Sequence, residues 1–173
     1  MGLFGHFAAG FAAKPYSPKV PLAVLLIATM FLDLLFIALA SMGAADPNSW
    51  SHGLFMSIIW SLAAALLFAS VYRSYRAGVV VGLVILSHWV LDLISHPIPF
   101  STFSWSKWQW SYGHPIPPDL PLFFAGSPKV ALGLYNSISA VQATVLELVM
   151  LLLGVAVYAN YRANLRKMKT PVA

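Results

Sequence analysis

Four long apolar runs, at residues 20–42, 47–71, 77–96 and 132–158, dominate this chain. A bilayer core of about 30 Å takes about 20 apolar residues of helix, so each run is long enough to cross it. The predicted fold is therefore all-α, a polytopic membrane bundle of four transmembrane helices. Capping signals support the reading. Asp46 can cap the second helix with Pro47 at its first position, where the missing N–H costs nothing, and Pro97 stops the third.

The chain has 173 residues, of which 60% are hydrophobic and 9% charged, and a mean hydropathy of +0.78. Four spans use most of that length, so residues 1–173 are expected to form one membrane domain. There is no cysteine. Disulfides and thiolate metal sites are excluded, and a bound metal would need imidazole and carboxylate ligands.

The net charge of +5 does not point to nucleic acid, because the ten Lys and Arg residues fall between apolar runs rather than along one face. Eight of them (Lys14, Lys19, Arg73, Arg76, Arg162, Arg166, Lys167 and Lys169) map to one side of the four-span topology, with Lys107 and Lys129 on the other. The positive-inside rule then puts both termini in the cytoplasm. The long connection, residues 97–131, becomes an outer loop rich in aromatics, including Trp105, Trp108, Trp110 and Tyr112. It reads as an interfacial belt or as a lid.

The N-terminal stretch MGLFGHFAAGFAAK lacks the basic start and cleavage site of a secretory signal and misses the myristoylation pattern. Residues 2–13 read as a short apolar helix, too short to span alone.

Ionisable residues inside the apolar runs carry the functional signal. The third run ends in SHWVLDLISH, which sets His88, Asp92 and His96 at successive i, i+4 steps on one helical face. A charged group at membrane depth costs about 2.5–3.5 kcal/mol on insertion scales, so this face needs partners, water or a metal. Two ligands one turn apart can chelate one ion; the alternative is a hydrogen-bonded packing network.

Asp33, in TMFLDLLFIAL, needs a distant partner. It lies roughly 13 Å from the outer end of its helix, the same depth as His88. His52 sits near the start of the second run and is either a ligand or an interfacial residue. Glu147 sits midway along the fourth and is either a protonated, hydrogen-bonded carboxyl or an acid–base group. His6 fits either the surface of an interfacial helix or, if residues 2–13 enter from the cytoplasm as a half-helix, a site about 12 Å inward.

The order GHFAAG (His6), FLD (Asp33), SWSHGL (His52) and LSHWVLDLISH (His88, Asp92, His96) resembles the YdjM-like family of membrane-bound metal-dependent hydrolases, over most of the chain. The resemblance implies metal ligation by His6, Asp33, His52, His88 and Asp92, with His96 as a further candidate. It extends to PDLPLFFAGSPKVALGLYNS before the last helix, which carries Glu147 over as an acid or base. The chain departs from the family in Ser51-His52-Gly53, where Thr-His-Ser is common, and in having a single aspartate at Asp33. The same order is distantly similar to zinc phospholipase C and the P1-type nucleases.

The expected function is a multi-pass hydrolase of the bacterial cytoplasmic (inner) membrane. It would use one or more divalent ions, zinc first among them, on a phosphoester or lipid-linked substrate. Glu147 would move the proton, with His114 assisting at the mouth of the site. Two other readings stay open: a transporter or proton pathway built on the same cluster, and a non-enzymatic partner protein whose cluster fixes helix packing.

Overall fold

The computed structural model describes residues 3–95, 120–122, 129–130, 132 and 138–168. Seven α-helices make up nearly all of the described chain: α1 (Leu3–Ala13), α2 (Leu22–Thr29), α3 (Phe31–Ser41), α4 (Pro47–His52), α5 (Leu54–Val71), α6 (Tyr75–Ser95) and α7 (Ala140–Lys167). A 3-10 turn, Lys14–Tyr16, follows α1. Helices α5, α6 and α7 are each long and apolar enough to cross a membrane, and the α2–α3 pair adds a fourth span if counted as one.

The apolar runs are less continuous than their composition predicts. The first is bent by 55° between α2 and α3, at Met30, although no proline or glycine lies there. The second divides at Gly53, whose backbone is extended (φ −62, ψ 138), into the single-turn α4 and the spanning α5. Asp46 caps α4 as expected, its carboxylate accepting from the Ser49 N–H at 3.1 Å and the Ser49 hydroxyl at 2.6 Å.

The last helix begins at Ala140 rather than 132, behind a capping box of Ser139 and Gln142, and continues to Lys167. Within the expected outer loop the described residues form a minimal antiparallel ladder, β1 (Leu120–Pro121) with β2 (Lys129–Val130). The fold class remains all-α, with this two-residue ladder as its one extended pairing among the described residues. Backbone bonds from Phe55 to Leu122 and from Leu132 to Leu93 tie this segment to α5 and α6.

Helix α1 is short and lies along α7. Gly5 faces Glu147 and Met150, Ala8 meets Gly154, and Phe11 packs on Tyr158 with centroids 5.9 Å apart. The helix is therefore parallel to α7, with Leu3 near the level of Glu147 and Lys14 near Arg162. Lys14 closes the turn into α2 by donating to the carbonyls of Pro18 and Val20 at 2.9 and 2.6 Å. Its ammonium pKa is held below the usual lysine range by partial burial and by the nearby Arg162 guanidinium.

Close helix crossings depend on missing side chains. A Cβ at Gly78 would collide with the Ala65 carbonyl oxygen on α5, and one at Gly82 would lie 2.7 Å from the Ser61 carbonyl. These glycines, four residues apart on α6, form the small-residue stripe that lets membrane helices approach in the absence of a hydrophobic drive. Gly154 does the same for α7 against Ala8. Between the α2–α3 pair and α6, buried Leu25, Leu32, Val81, Ile85 and Trp89 form the apolar core.

Gly78→Ala should destabilise the fold by about 1–3 kcal/mol, the usual cost of overpacking. Gly5→Ala, whose Cβ would meet its nearest atom at 3.6 Å, should be close to neutral. Thermal unfolding in detergent of the two variants checks the contrast.

Candidate metal centre

Five of the eight expected site residues converge. His6 comes from α1, Asp33 from α3, His52 from the end of α4, and His88 and Asp92 from consecutive turns of α6. His52 and His88 Nε2 lie 3.3 Å apart. Asp33 Oδ1 is 3.4 Å from His52 Nε2 and 3.6 Å from His88 Nε2. Asp92 Oδ2 is 3.6 and 3.3 Å from the same two nitrogens, and its Oδ1 is 3.3 Å from His6 Nε2. The His6 ring packs at a tilt against His88 with centroids 4.0 Å apart.

The helix breaks put these groups together. At the α2–α3 bend the Thr29 carbonyl accepts from His88 Nδ1 at 2.6 Å. A side chain inserted into the backbone ladder is a recognised cause of a kink without proline. The break at Gly53 ends α4 at His52, whose ring is buried between α3 and α6.

Hydrogen bonding sets the tautomers. A carbonyl only accepts, so His88 Nδ1 carries a proton and a neutral ring turns its Nε2 lone pair toward the carboxylates. The Ser51 hydroxyl donates to the Pro47 carbonyl at 2.8 Å, which leaves its oxygen to accept from His52 Nδ1 at 2.7 Å. His52 Nε2 therefore presents a lone pair as well. Two imidazole lone pairs and two carboxylates then face one another in a buried site.

Such a constellation is repulsive until a cation or protons enter it. Protonating both Nε2 atoms at once would set two N–H groups against each other across 3.3 Å. A divalent cation neutralises both carboxylates and accepts both lone pairs. The residues present therefore fit a metal ion, and two triads are spaced to hold one: His6, His88 and Asp92, and Asp33, His52 and His88. Nδ1 bonds to a backbone carbonyl and a serine hydroxyl are the outer contacts that fix a ligating histidine's orientation.

Asp33 is the most accessible of the five, its side chain 20% exposed against 6% or less for the others. Approach to the cluster is therefore from the α3 side.

Glu147 is buried on α7, outside both triads, and its carboxyl takes a backbone hydrogen bond from Phe4 at the start of α1. It is adjacent to the cluster through α1 rather than part of it. His96 and His114 lie outside the described residues. The Thr29 carbonyl and Ser51 were not anticipated. Ser51 could have been suspected from its position next to His52, but a main-chain carbonyl has no sequence signal.

No family profile, curated protein or solved structure matches this chain significantly.

Ser51→Ala should weaken divalent-metal affinity about 10–100-fold, the usual effect of losing an outer partner of a ligating histidine. Competition against a chromophoric chelator measures it.

Proposed function

We propose that the protein is a membrane-embedded metal-dependent hydrolase that acts on a phosphoester or lipid-linked substrate. The observation that carries this reading is the convergence of histidine and aspartate donor atoms at 3.3–3.6 Å from four separate elements. The resemblance of the His and Asp order to the YdjM-like hydrolases agrees with it, and the reading places the protein in a bacterial cytoplasmic membrane.

Donor spacing favours zinc. In a tetrahedron the centre lies about 0.61 of an edge from each vertex, so triangular faces with these edges suit metal–ligand bonds of roughly 2.0–2.2 Å, the zinc range. An octahedral ion would need roughly 2.3–2.5 Å, too long for magnesium and in the range of calcium, which prefers oxygen to imidazole.

His52, His88, Asp33 and Asp92 would hold the ion, with His6 alongside. A divalent cation held there supplies Lewis acidity, which makes water nucleophilic near neutral pH and polarises the bond to be cut. The protein orients and encloses. Thr29 and Ser51 lock the two imidazoles, burial of His88 and Asp92 keeps bulk water away, and the exposed edge of Asp33 leaves a side for substrate. Glu147, which faces Gly5 next to His6 in the chain, would take or give the proton.

Depth supports a lipid-linked substrate. His88 is seven residues, roughly 10 Å, from the end of α6, and a lipid can reach that depth laterally past the bent α2–α3 pair. A second reading, a proton or cation pathway, rests on the continuous His6–Asp92–His88–Asp33–His52 series of contacts.

Elemental analysis of zinc-replete protein in detergent should find one ion per chain, and Asp92→Asn should lose it. Metal-free native protein that carries ion flux in proteoliposomes would replace the hydrolase with the pathway. Glu147→Gln should retain the metal while lowering kcat about 10²–10⁴-fold, measured on phospholipid micelles and on a soluble aryl phosphodiester.

A further inference from the structure

A groove of about 420 Å³ runs between α1 and α6, and none of its lining residues belongs to the cluster. Ala9, Ala12 and Ala13 form its floor on the half-helix, and Val80, Leu83 and Val84 form its wall. One end is marked by Arg76 and Tyr16, the other by Ser87. Arg76 and Ser87 are eleven residues apart on one helix, roughly 16 Å. That is about half of a 30 Å hydrocarbon core, the depth of a single leaflet.

An apolar groove at membrane depth gives water nothing to bond, so hydrocarbon is its natural filling. Charge then selects the lipid. The chain has only five acidic side chains, at Asp33, Asp46, Asp92, Asp119 and Glu147. Asp33, Asp92 and Glu147 belong to the cluster or its edge and Asp46 caps α4 at the loop end, while Asp119 lies outside the described residues. Among the described residues no carboxylate reaches the end that carries Lys14, Arg73, Arg76 and Arg162.

Lys14 is already committed to two backbone carbonyls. Arg76 is exposed at the groove's mouth, and its guanidinium fork suits a phosphate. Tyr16, 60% exposed beside it, has the amphipathic ring favoured at a headgroup level.

We propose that this groove is a binding site for one anionic phospholipid of the leaflet at the basic end, with an acyl chain along α1 and α6 and its phosphate on Arg76. The site is independent of the chemistry proposed for the histidine and aspartate cluster. Its headgroup end lies more than a leaflet's depth from His88, so this lipid is a bound companion rather than the substrate.

Native mass spectrometry of the full chain in non-ionic detergent, with phosphatidylglycerol and phosphatidylcholine added in equal amounts, tests the proposal. Wild-type protein should retain one phosphatidylglycerol with at least about tenfold preference, the equivalent of about 1.4 kcal/mol. Arg76→Gln should abolish the preference. Ala12→Phe, which fills the groove from its floor, should abolish retention of both lipids; Leu83→Trp does so from the exposed wall if the first variant fails to fold. Equal retention of the two lipids by wild type overturns the proposal. So does undiminished phosphatidylglycerol binding in a folded groove-filling variant, which would leave only a surface charge effect.

Discussion

The most demanding group in this bundle is the imidazole of His88, which has no exposed surface. Both of its nitrogens must be satisfied where no solvent reaches. One finds the Thr29 carbonyl, which is available because α2 and α3 part company at Met30. The other faces Asp92, Asp33 and His52. The bend and the cluster are thus two consequences of one buried ring: a straight first span would keep the Thr29 carbonyl in its own ladder.

Holding that ring requires helices that come close, and hydrocarbon gives them no hydrophobic reason to do so. Close approach comes from glycine. Gly78 and Gly82 seat α6 against α5, fixing the helix that carries His88 and Asp92, and Gly154 lets α7 touch the backbone of α1 at Ala8, two residues from His6. Small residues remote from the cluster therefore set the positions of its members. The same short half-helix that delivers His6 leaves a gap beside α6, and the groove is the result.

Much of this was legible in the sequence where a local rule applied. The i, i+4 spacing of His88 and Asp92 placed them on one face, and counting residues from the helix end put Asp33 at the level of His88; both are adjacent in the fold. The Asp46 cap was equally local. The glycine pair in GVVVG and the Ser139–Gln142 capping box are equally local signals. What was not legible depends on tertiary structure. The break at Met30 has no proline or glycine to announce it, and the acceptor it frees is main chain. The direction of α1 is set by packing against α7, which a charge rule for spanning helices does not address. His6 reaches the cluster because α1 begins near the level of Glu147.

The shared position of His88 bears on how many ions such a cluster can take. The triads His6–His88–Asp92 and Asp33–His52–His88 have this residue in common. With Nδ1 committed to Thr29, His88 has a single lone pair to offer, and a single lone pair binds a single ion. The two triads are therefore alternatives for histidine ligation rather than two complete sites. Asp92 is different, because its Oδ1 faces His6 while its Oδ2 faces His52 and His88. It can serve an ion on either side, or steer His6 while binding through the other oxygen. Of the two places, the one between His52 and His88 has more donors within 3.6 Å, counting Asp33 and Asp92 together. An ion held there would leave His6 beside it, against Asp92 Oδ1.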